Sequence, residues 1–171
     1  HFTVDFELSS WYRRMILGYS VKRSDYVVVL TNGDFEAYRN RLGRKNAISR
    51  IYNPVAYRFD KEPVCEKKNI ILTVGRLVPE KGTEYIKKVS LQILERYSCW
   101  QWILLGEGTE RKNLEQFIID HHLQNRLILK GNVENVDEYL RKASIFVLAS
   151  QYEGMGLSML EAREMKIPCV C

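Results

Sequence analysis

The sequence predicts an α/β fold, a doubly wound parallel sheet with helices on both faces, and two observations lead to this prediction. Short apolar runs rich in β-branched residues recur along the chain, as strands that are buried on both faces require. Segments with apolar residues three and four positions apart lie between these runs, and this is the period of an amphipathic helix. Strands and helices that alternate in this way form right-handed βαβ units.

The first part of the chain is predicted to hold two helices and two strands. A helix around 7–23 is indicated by one apolar stripe, which we expect to pack against its own domain. The stripe consists of Leu8, Trp11, Tyr12, Met15, Ile16 and Tyr19. Strands are expected at 25–31 and 47–52, with a helix over 34–42 between them.

The stretch over 58–68 is charged, contains Pro63 and follows neither period, so it is interpreted as a linker between residues 1–57 and 69–171. The pattern after it is regular. Strands are predicted at 70–74, 102–105, 127–129, 145–149 and 169–171. Helices are predicted at 83–97, 109–121, 136–142 and 156–166.

The composition is that of a globular protein. Apolar residues make up 46% of the 171 residues and charged residues 27%, which argues against disordered and low-complexity chains. No window approaches the roughly 18 continuous apolar residues of a membrane span. The chain begins at His1 without a leader, so we expect an internal piece of a longer protein. The cysteine spacing favours a reducing compartment and predicts no metal site.

The net charge of +5 arises in the first 68 residues, which hold 13 Lys and Arg against 8 Asp and Glu. A basic patch there can meet anionic lipid, a phosphorylated acceptor or nucleic acid, although a solvated surface is the favoured interpretation. The first helix carries Arg13, Arg14, Lys22 and Arg23 beside its stripe, so it can also lie on a membrane surface.

Ligands of such sheets bind in the loops at the carboxyl ends of the strands. In the loop 75–83, Gly75 lets the backbone approach a ligand, Arg76 can grip phosphate oxygens, Lys81 adds a charge and Thr83 can cap the next helix. This loop alone favours solvated side chains for Arg76 and Lys81.

The loop 153–161 holds two carboxylates, Glu153 and Glu161, that bracket two glycines at the start of a helix. We expect both carboxylates to face one cleft and to suit a sugar and a ribose, with the amides freed by Gly154 and Gly156 holding a diphosphate. The alternative is that Glu153 complements the helix dipole and Glu161 is solvated.

Four elements occur in order and together resemble family 4 of the retaining glycosyltransferases. They are Gly75-Arg76 with Glu80-Lys81-Gly82, Leu105-Gly106-Glu107-Gly108, Lys130-Gly131, and Phe146 to Ser150 leading to Glu153 and Glu161. Residues 24–31 and 51–54 resemble the end of the N-terminal domain of the same enzymes. The resemblance implies the GT-B fold, with a truncated C-terminal donor-binding domain and a remnant of the N-terminal Rossmann-like domain.

The resemblance also implies site residues. Gly75, Arg76, Lys81, Gly156 and Leu157 would bind the donor diphosphate. Glu153 would be the catalytic residue and, with Gly154, Met155 and Glu161, would hold the sugar and the ribose. The loop at Gly131 and Asn132 would meet the base. No metal and no cofactor are implied, because the nucleotide-diphosphate sugar is a co-substrate.

The implied activity is retaining, metal-independent transfer of a hexose to a saccharide or lipid-linked acceptor in the synthesis of cell-surface polysaccharide or glycoconjugate. We expect a cytoplasmic enzyme at the inner face of the membrane, with no nucleic-acid partner. The piece alone is expected to be inactive, since the facing domain orients the acceptor. Two alternatives remain, a non-catalytic nucleotide-binding module and a nucleic-acid binder whose binding falls steeply with salt.

Overall fold

The computed structural model describes residues 10–41, 47–54, 67–151, 153 and 155–171. These residues form two compact units. The first contains the described residues up to Pro54 together with Glu153, Met155 and Gly156, and the second contains residues 67–151 and 157–171. Most of the predicted linker lies outside the described residues, so the domain boundaries at 57 and 69 stay predictions.

The first unit contains two helices and two strands in the predicted order. They are α1 (Trp11–Arg23), β1 (Val27–Val29), α2 (Asn32–Arg41) and β2 (Ile48–Arg50). The two strands pair in parallel, with Val27 opposite Ile48. At the start of α2, the amide of Asp34 donates to Thr31 Oγ1 at 3.1 Å, and the Thr31 hydroxyl donates to Asp34 Oδ2 at 2.8 Å. This local cap starts the helix two residues before the predicted Asp34.

The apolar stripe of α1 faces outward, so the expectation that it packs within its own domain is wrong for the described residues. Trp11 is 74% exposed, Met15 64% and Tyr19 62%. The buried residue of the helix is Val21, which follows Tyr19 by about 200° around the axis. The helix therefore buries the side opposite its most apolar face.

The second unit alternates strands and helices as the sequence predicts. Its elements are β3 (Ile70–Val74), a 3₁₀ turn (Pro79–Lys81), α3 (Thr83–Arg96), β4 (Gln101–Leu105), α4 (Arg111–Asp120), β5 (Leu127–Gly131), α5 (Val136–Lys142), β6 (Ile145–Val147), α6 (Leu157–Glu164) and β7 (Cys169–Val170). The five strands are parallel and lie in the order β5-β4-β3-β6-β7. The predicted fold class is confirmed.

The direction of the crossovers reverses after β5, because β4 and β5 lie on one side of β3 while β6 and β7 lie on the other. Right-handed crossovers in opposite directions place their helices on opposite faces of the sheet. One core accordingly contains Ile86 and Leu114 from α3 and α4, and the other contains Leu140 and Ala162 from α5 and α6. Ligands of open α/β sheets bind where this reversal occurs.

Several elements are shorter than their apolar runs. Strand β6 ends at Val147 rather than at residue 149, and α6 spans Leu157–Glu164 rather than 156–166. The residues just beyond β6 remain bonded to β7, since the amide of Leu148 donates to the carbonyl of Val170 at 2.9 Å. Within the described residues, no helix is both long and apolar enough to cross a membrane.

Candidate functional site

The loops at the carboxyl ends of β3, β4 and β5 are joined by backbone hydrogen bonds beyond the strands themselves. The amide of Gly75 donates to the carbonyl of Leu105 at 2.9 Å, and that of Leu77 donates to the carbonyl of Glu107 at 2.9 Å. On the other side, the amide of Gly106 donates to the carbonyl of Gly131 at 2.8 Å. The three loops therefore form one surface at this edge of the sheet.

Two glycines allow the neighbouring loops to approach closely. Gly106 has φ of 137°, and a Cβ at this residue would overlap the carbonyl oxygen of Gly75. Gly82 has φ of 73°, and a Cβ there would overlap the carbonyl oxygen of Ala149, which follows β6. These positions need both the left-handed backbone and the missing side chain that glycine provides. They hold the loop after β3 against the loops after β4 and β6.

A cleft of about 380 Å³ opens at this edge, and we call it the strand-end cleft. It is lined by Val74, Gly75, Arg76, Leu105, Gly106, Glu107, Asn132, Val133 and Val136. The structure thus brings Gly75 and Arg76 of the predicted diphosphate loop together with Asn132 of the predicted base loop. A guanidinium offers paired donors to phosphate oxygens, and the valines supply an apolar wall, so the cleft has the mixed lining of a small-molecule site.

Lys81 lies in the 3₁₀ turn of the same loop, and the amide of Lys81 donates to the carbonyl of Val78 at 2.9 Å. Lys81 is not among the residues that line the cleft. The proposed cap at Thr83 is wrong, because Gly82 occupies the N-cap of α3 and Thr83 is the first residue of the helix. Thr83 is buried, and its hydroxyl has no hydrogen-bond partner among the described atoms.

Glu161 lies on α6, whose first turn is attached to the end of β3. The hydroxyl of Ser158 donates to the carbonyl of Val74 at 3.2 Å, and Val74 lines the strand-end cleft. Residues three positions apart share one side of a helix, so Glu161 follows Ser158 on that side. Burial raises the pKa of the Glu161 carboxyl above its usual range, because partial desolvation disfavours the charged form.

Glu153, Met155 and Gly156 group with the first unit. The amide of Asn53 donates to Met155 Sδ at 3.4 Å, and Gly156 has φ of 57° just before α6. Gly154 lies outside the described residues. The expectation that Glu153 and Glu161 face one cleft therefore stays a prediction, as do the roles assigned to the amides of Gly154, Gly156 and Leu157.

The sequence alone does not assign Glu107, Val133 or Val136 to the site, although all three line the cleft. Glu107 belongs to the motif Leu105-Gly106-Glu107-Gly108, which by itself indicates no role for this side chain. The flanking Gly106 and Gly108 were the available signal, because a Cβ on either glycine would overlap a carbonyl oxygen of the loop after β3. In the part of the chain that the structure describes, no three His, Cys, Asp or Glu residues are grouped as metal ligands.

Known proteins are similar in sequence to this chain over more than half of its length. The chain is 28% identical over 171 residues to an uncharacterized glycosyltransferase of Haemophilus influenzae, covering 99% of this chain and 48% of the relative. It is 31% identical over 104 residues to the UDP-Gal:alpha-D-GlcNAc-diphosphoundecaprenol alpha-1,3-galactosyltransferase of Escherichia coli, covering 59% of this chain and 27% of that protein. The chain thus spans about half of the first relative and about a quarter of the second.

Solved structures share the fold. The Staphylococcus aureus TarM mutant in complex with Fondaparinux, alpha-GlcNAc-glycerol and UDP superimposes with a TM-score of 0.80 at 24% identity, over 92% of this chain and 32% of that chain. Residues 57–171 match the model of the family described as glycosyl transferases group 1. Since this match covers more than half of the chain, the chain belongs to the family of glycosyl transferases group 1.

Proposed function

We propose that the chain carries the donor-binding part of a retaining glycosyltransferase that moves a hexose from a nucleotide-diphosphate sugar to a saccharide or lipid-linked acceptor. The observation that carries this proposal is the strand-end cleft, where an arginine beside a glycine, an asparagine and an apolar wall lie at the carboxyl edge of a parallel sheet. Synthesis of cell-surface glycans is the proposed setting.

The predicted site residues are assigned to the parts of such a donor as follows. Arg76 and Lys81 are proposed to hold the diphosphate, with the backbone at Gly75 and the amides of Gly156 and Leu157. Asn132 and the backbone at Gly131 are proposed to meet the base. Glu161 is proposed to accept hydrogen bonds from the ribose hydroxyls, and Glu153, Gly154 and Met155 to contact the sugar.

In the proposed mechanism, the protein favours departure of the nucleoside diphosphate. Negative charge grows on the diphosphate as the glycosidic bond breaks, so preorganised cations and amides stabilise the transition state more than the ground state. Glu153 is proposed as the catalytic carboxylate near the reacting carbon. Retention of the anomeric configuration and independence of metal ions belong to the proposal. The anomer of the product tests retention, and activity in the presence of EDTA tests metal independence.

UDP is the first donor nucleotide to test. The E. coli relative is named for UDP-Gal, and the TarM structure contains UDP. Isothermal titration of the chain with UDP, GDP and ADP should reveal binding by at least one nucleotide. Replacing Arg76→Met should weaken binding about tenfold or more, because charge-assisted hydrogen bonds to phosphate are lost.

Arg96→Met is the matched control. Its guanidinium lies 5.6 Å from the ring centroid of Tyr97 at the far end of α3, away from the cleft. This variant should bind nucleotide like the unaltered chain. Equal losses in both variants, or no binding of any of the three nucleotides, would refute the proposed site.

A non-catalytic nucleotide-binding module is the alternative, and it would share the cleft. The two functions are distinguished by incubating a full-length protein that contains this chain with nucleotide sugars and acceptors. Transfer of the sugar supports the enzyme, whereas nucleotide binding without transfer supports the module.

We also propose peripheral contact of the first unit with an anionic membrane. The exposed stripe of α1 includes Trp11, Met15 and Tyr19, and the last turn of the helix carries Lys22 and Arg23. Aromatic side chains with adjacent cations are typical of helices that lie in a membrane interface. Co-sedimentation should show binding to vesicles with anionic lipid, lost in high salt or on Met15→Glu. The proposal would be contradicted if the chain bound neutral and anionic vesicles equally, or if it did not bind anionic vesicles.

A further inference from the structure

Glu107 connects the two loops that the proposed function assigns to the diphosphate and to the base. Its carbonyl accepts a hydrogen bond from the amide of Leu77, in the loop after β3, at 2.9 Å. Its side chain is directed to the other loop, where Oε1 lies 2.7 Å from the point that a Cβ on Gly131 would occupy. One residue therefore contacts the loops after both neighbouring strands.

The backbone at Gly131 is shaped around this carboxylate. Gly131 has φ of 73°, a left-handed conformation that side chains rarely adopt. A Cβ there would also lie 3.4 Å from Arg111 Nη1. The Glu107 and Arg111 side chains thus occupy the space that a side chain at residue 131 would need, and Asn132, the next residue, lines the strand-end cleft.

Arg111 holds Glu107 in this position. Arg111 Nη1 donates to Glu107 Oε1 at 2.5 Å, and Arg111 Nε donates to Glu115 Oε1 at 2.8 Å. The guanidinium is fixed between the carboxylate of Glu107, in the loop before α4, and that of Glu115 on the helix itself. A single exposed ion pair contributes little, but a shared guanidinium restricts the rotamers of all three side chains.

We propose that Glu107 is a positioning residue for the base side of the donor site. Its carboxylate, held by Arg111, supports the left-handed turn at Gly131 and so places the amide and side chain of Asn132 toward the cleft. The inference rests on the proposed donor function, since it assigns the support of one loop of that site. Glu107 acts through Gly131 and is given no contact with the reacting atoms.

The test compares Glu107→Gln with Glu115→Gln, a matched control that removes the other carboxylate on the same arginine. Both variants are titrated with UDP and with inorganic pyrophosphate, and their thermal unfolding is recorded. Glu107→Gln should weaken UDP binding about fivefold while leaving pyrophosphate binding and the melting temperature unchanged. Glu115→Gln should leave the affinities for both ligands unchanged.

Hydrogen exchange gives a readout that does not depend on a ligand. The amides of residues 131–133 should exchange faster in Glu107→Gln than in Glu115→Gln or in the unaltered chain, because the turn at Gly131 loses its support.

Three results would overturn the inference. They are equal UDP affinities in the two variants, a parallel loss of UDP and pyrophosphate binding in Glu107→Gln, and unchanged exchange at residues 131–133. Failure of the proposed function itself is recognised separately, because the unaltered chain would then bind none of UDP, GDP and ADP, and this inference would fall with it.

Discussion

The indole of Trp102 donates a hydrogen bond to Thr73 Oγ1 at 3.1 Å inside the core of the second unit. The Thr73 hydroxyl in turn donates to the carbonyl of Val147 at 2.9 Å. These two hydrogen bonds connect β4 to β3 and β3 to β6. The crossover direction reverses between β3 and β6. Trp102 is only 2% exposed, so its N–H has no access to water.

Replacing Thr73→Val should destabilise the chain by about 1–3 kcal/mol, because the buried indole N–H would lose its acceptor. Urea denaturation measures the change. Thr73→Ser keeps the hydroxyl and should cost clearly less. Equal stability of Thr73→Val and the unaltered chain would show that the hydrogen bond has no net value.

Gly82 and Gly75 belong to the same loop but should respond differently to replacement by alanine. Gly82→Ala should cost about 1–3 kcal/mol of stability or more, since its φ is 73° and the new Cβ would overlap the Ala149 carbonyl. Gly75→Ala should leave stability within about 0.5 kcal/mol, because nothing lies within 4 Å of its Cβ position. Thermal unfolding of the two variants checks this difference.

Gly75→Ala further separates binding from folding. If the backbone at Gly75 approaches the donor phosphates as proposed, this variant should bind UDP more weakly than the unaltered chain at equal stability. Unchanged affinity by calorimetry would remove Gly75 from the proposed site.

The raised pKa of Glu161 predicts opposite effects of pH on folding and on binding. The folded state binds the proton of the Glu161 carboxyl more tightly than the unfolded chain does. The stability that Glu161 contributes therefore falls as the pH rises from the ordinary pKa of a glutamate through the raised pKa of the folded state. UDP affinity should rise over the same interval, because the ionised carboxylate is the better acceptor for ribose hydroxyls.

Glu161→Gln should therefore weaken UDP binding about tenfold near neutral pH without loss of stability, and its affinity should no longer depend on pH in that interval. Calorimetry at several pH values makes the measurement. Glu164→Gln, which changes an exposed carboxylate on the same helix, is the control and should behave like the unaltered chain. A similar loss of affinity in both variants would contradict the ribose assignment.

Arg126 attaches the end of α3 to the start of β4. Its Nη2 donates to the carbonyls of Leu94 and Tyr97, both at 2.7 Å, and its Nε donates to the carbonyl of Trp100 at 2.8 Å. Arg126→Met should destabilise the chain by about 2 kcal/mol, since three carbonyls lose a charged donor. Arg126→Lys keeps the positive charge but loses the several N–H donors of the guanidinium. Its unfolding temperature should therefore lie between those of the unaltered chain and Arg126→Met.

The 171-residue chain should bind nucleotide yet transfer no sugar. It spans 48% of the H. influenzae relative, and orientation of donor and acceptor can account for about 7–11 kcal/mol of a reaction barrier. Product formation by the purified chain, measured with radiolabelled donor, would place an acceptor site within these residues.

The sequence by itself determined the alternation of strands and helices, because burial on both faces of a parallel sheet requires apolar runs such as Ile70–Val74, and one-sided burial imposes the helical period of α3. It also indicated which loops lie at the carboxyl edge of the sheet.

Only the tertiary structure decided which residues of those loops contact one another. The approach of Glu107 to Gly131 and of Gly82 to Ala149 depends on strand order and on backbone dihedrals across 24 and 67 residues of chain. No local pattern encodes such contacts. The outward stripe of α1 has the same cause, since spacing defines an apolar face, while the partner that would cover it is set by the rest of the fold.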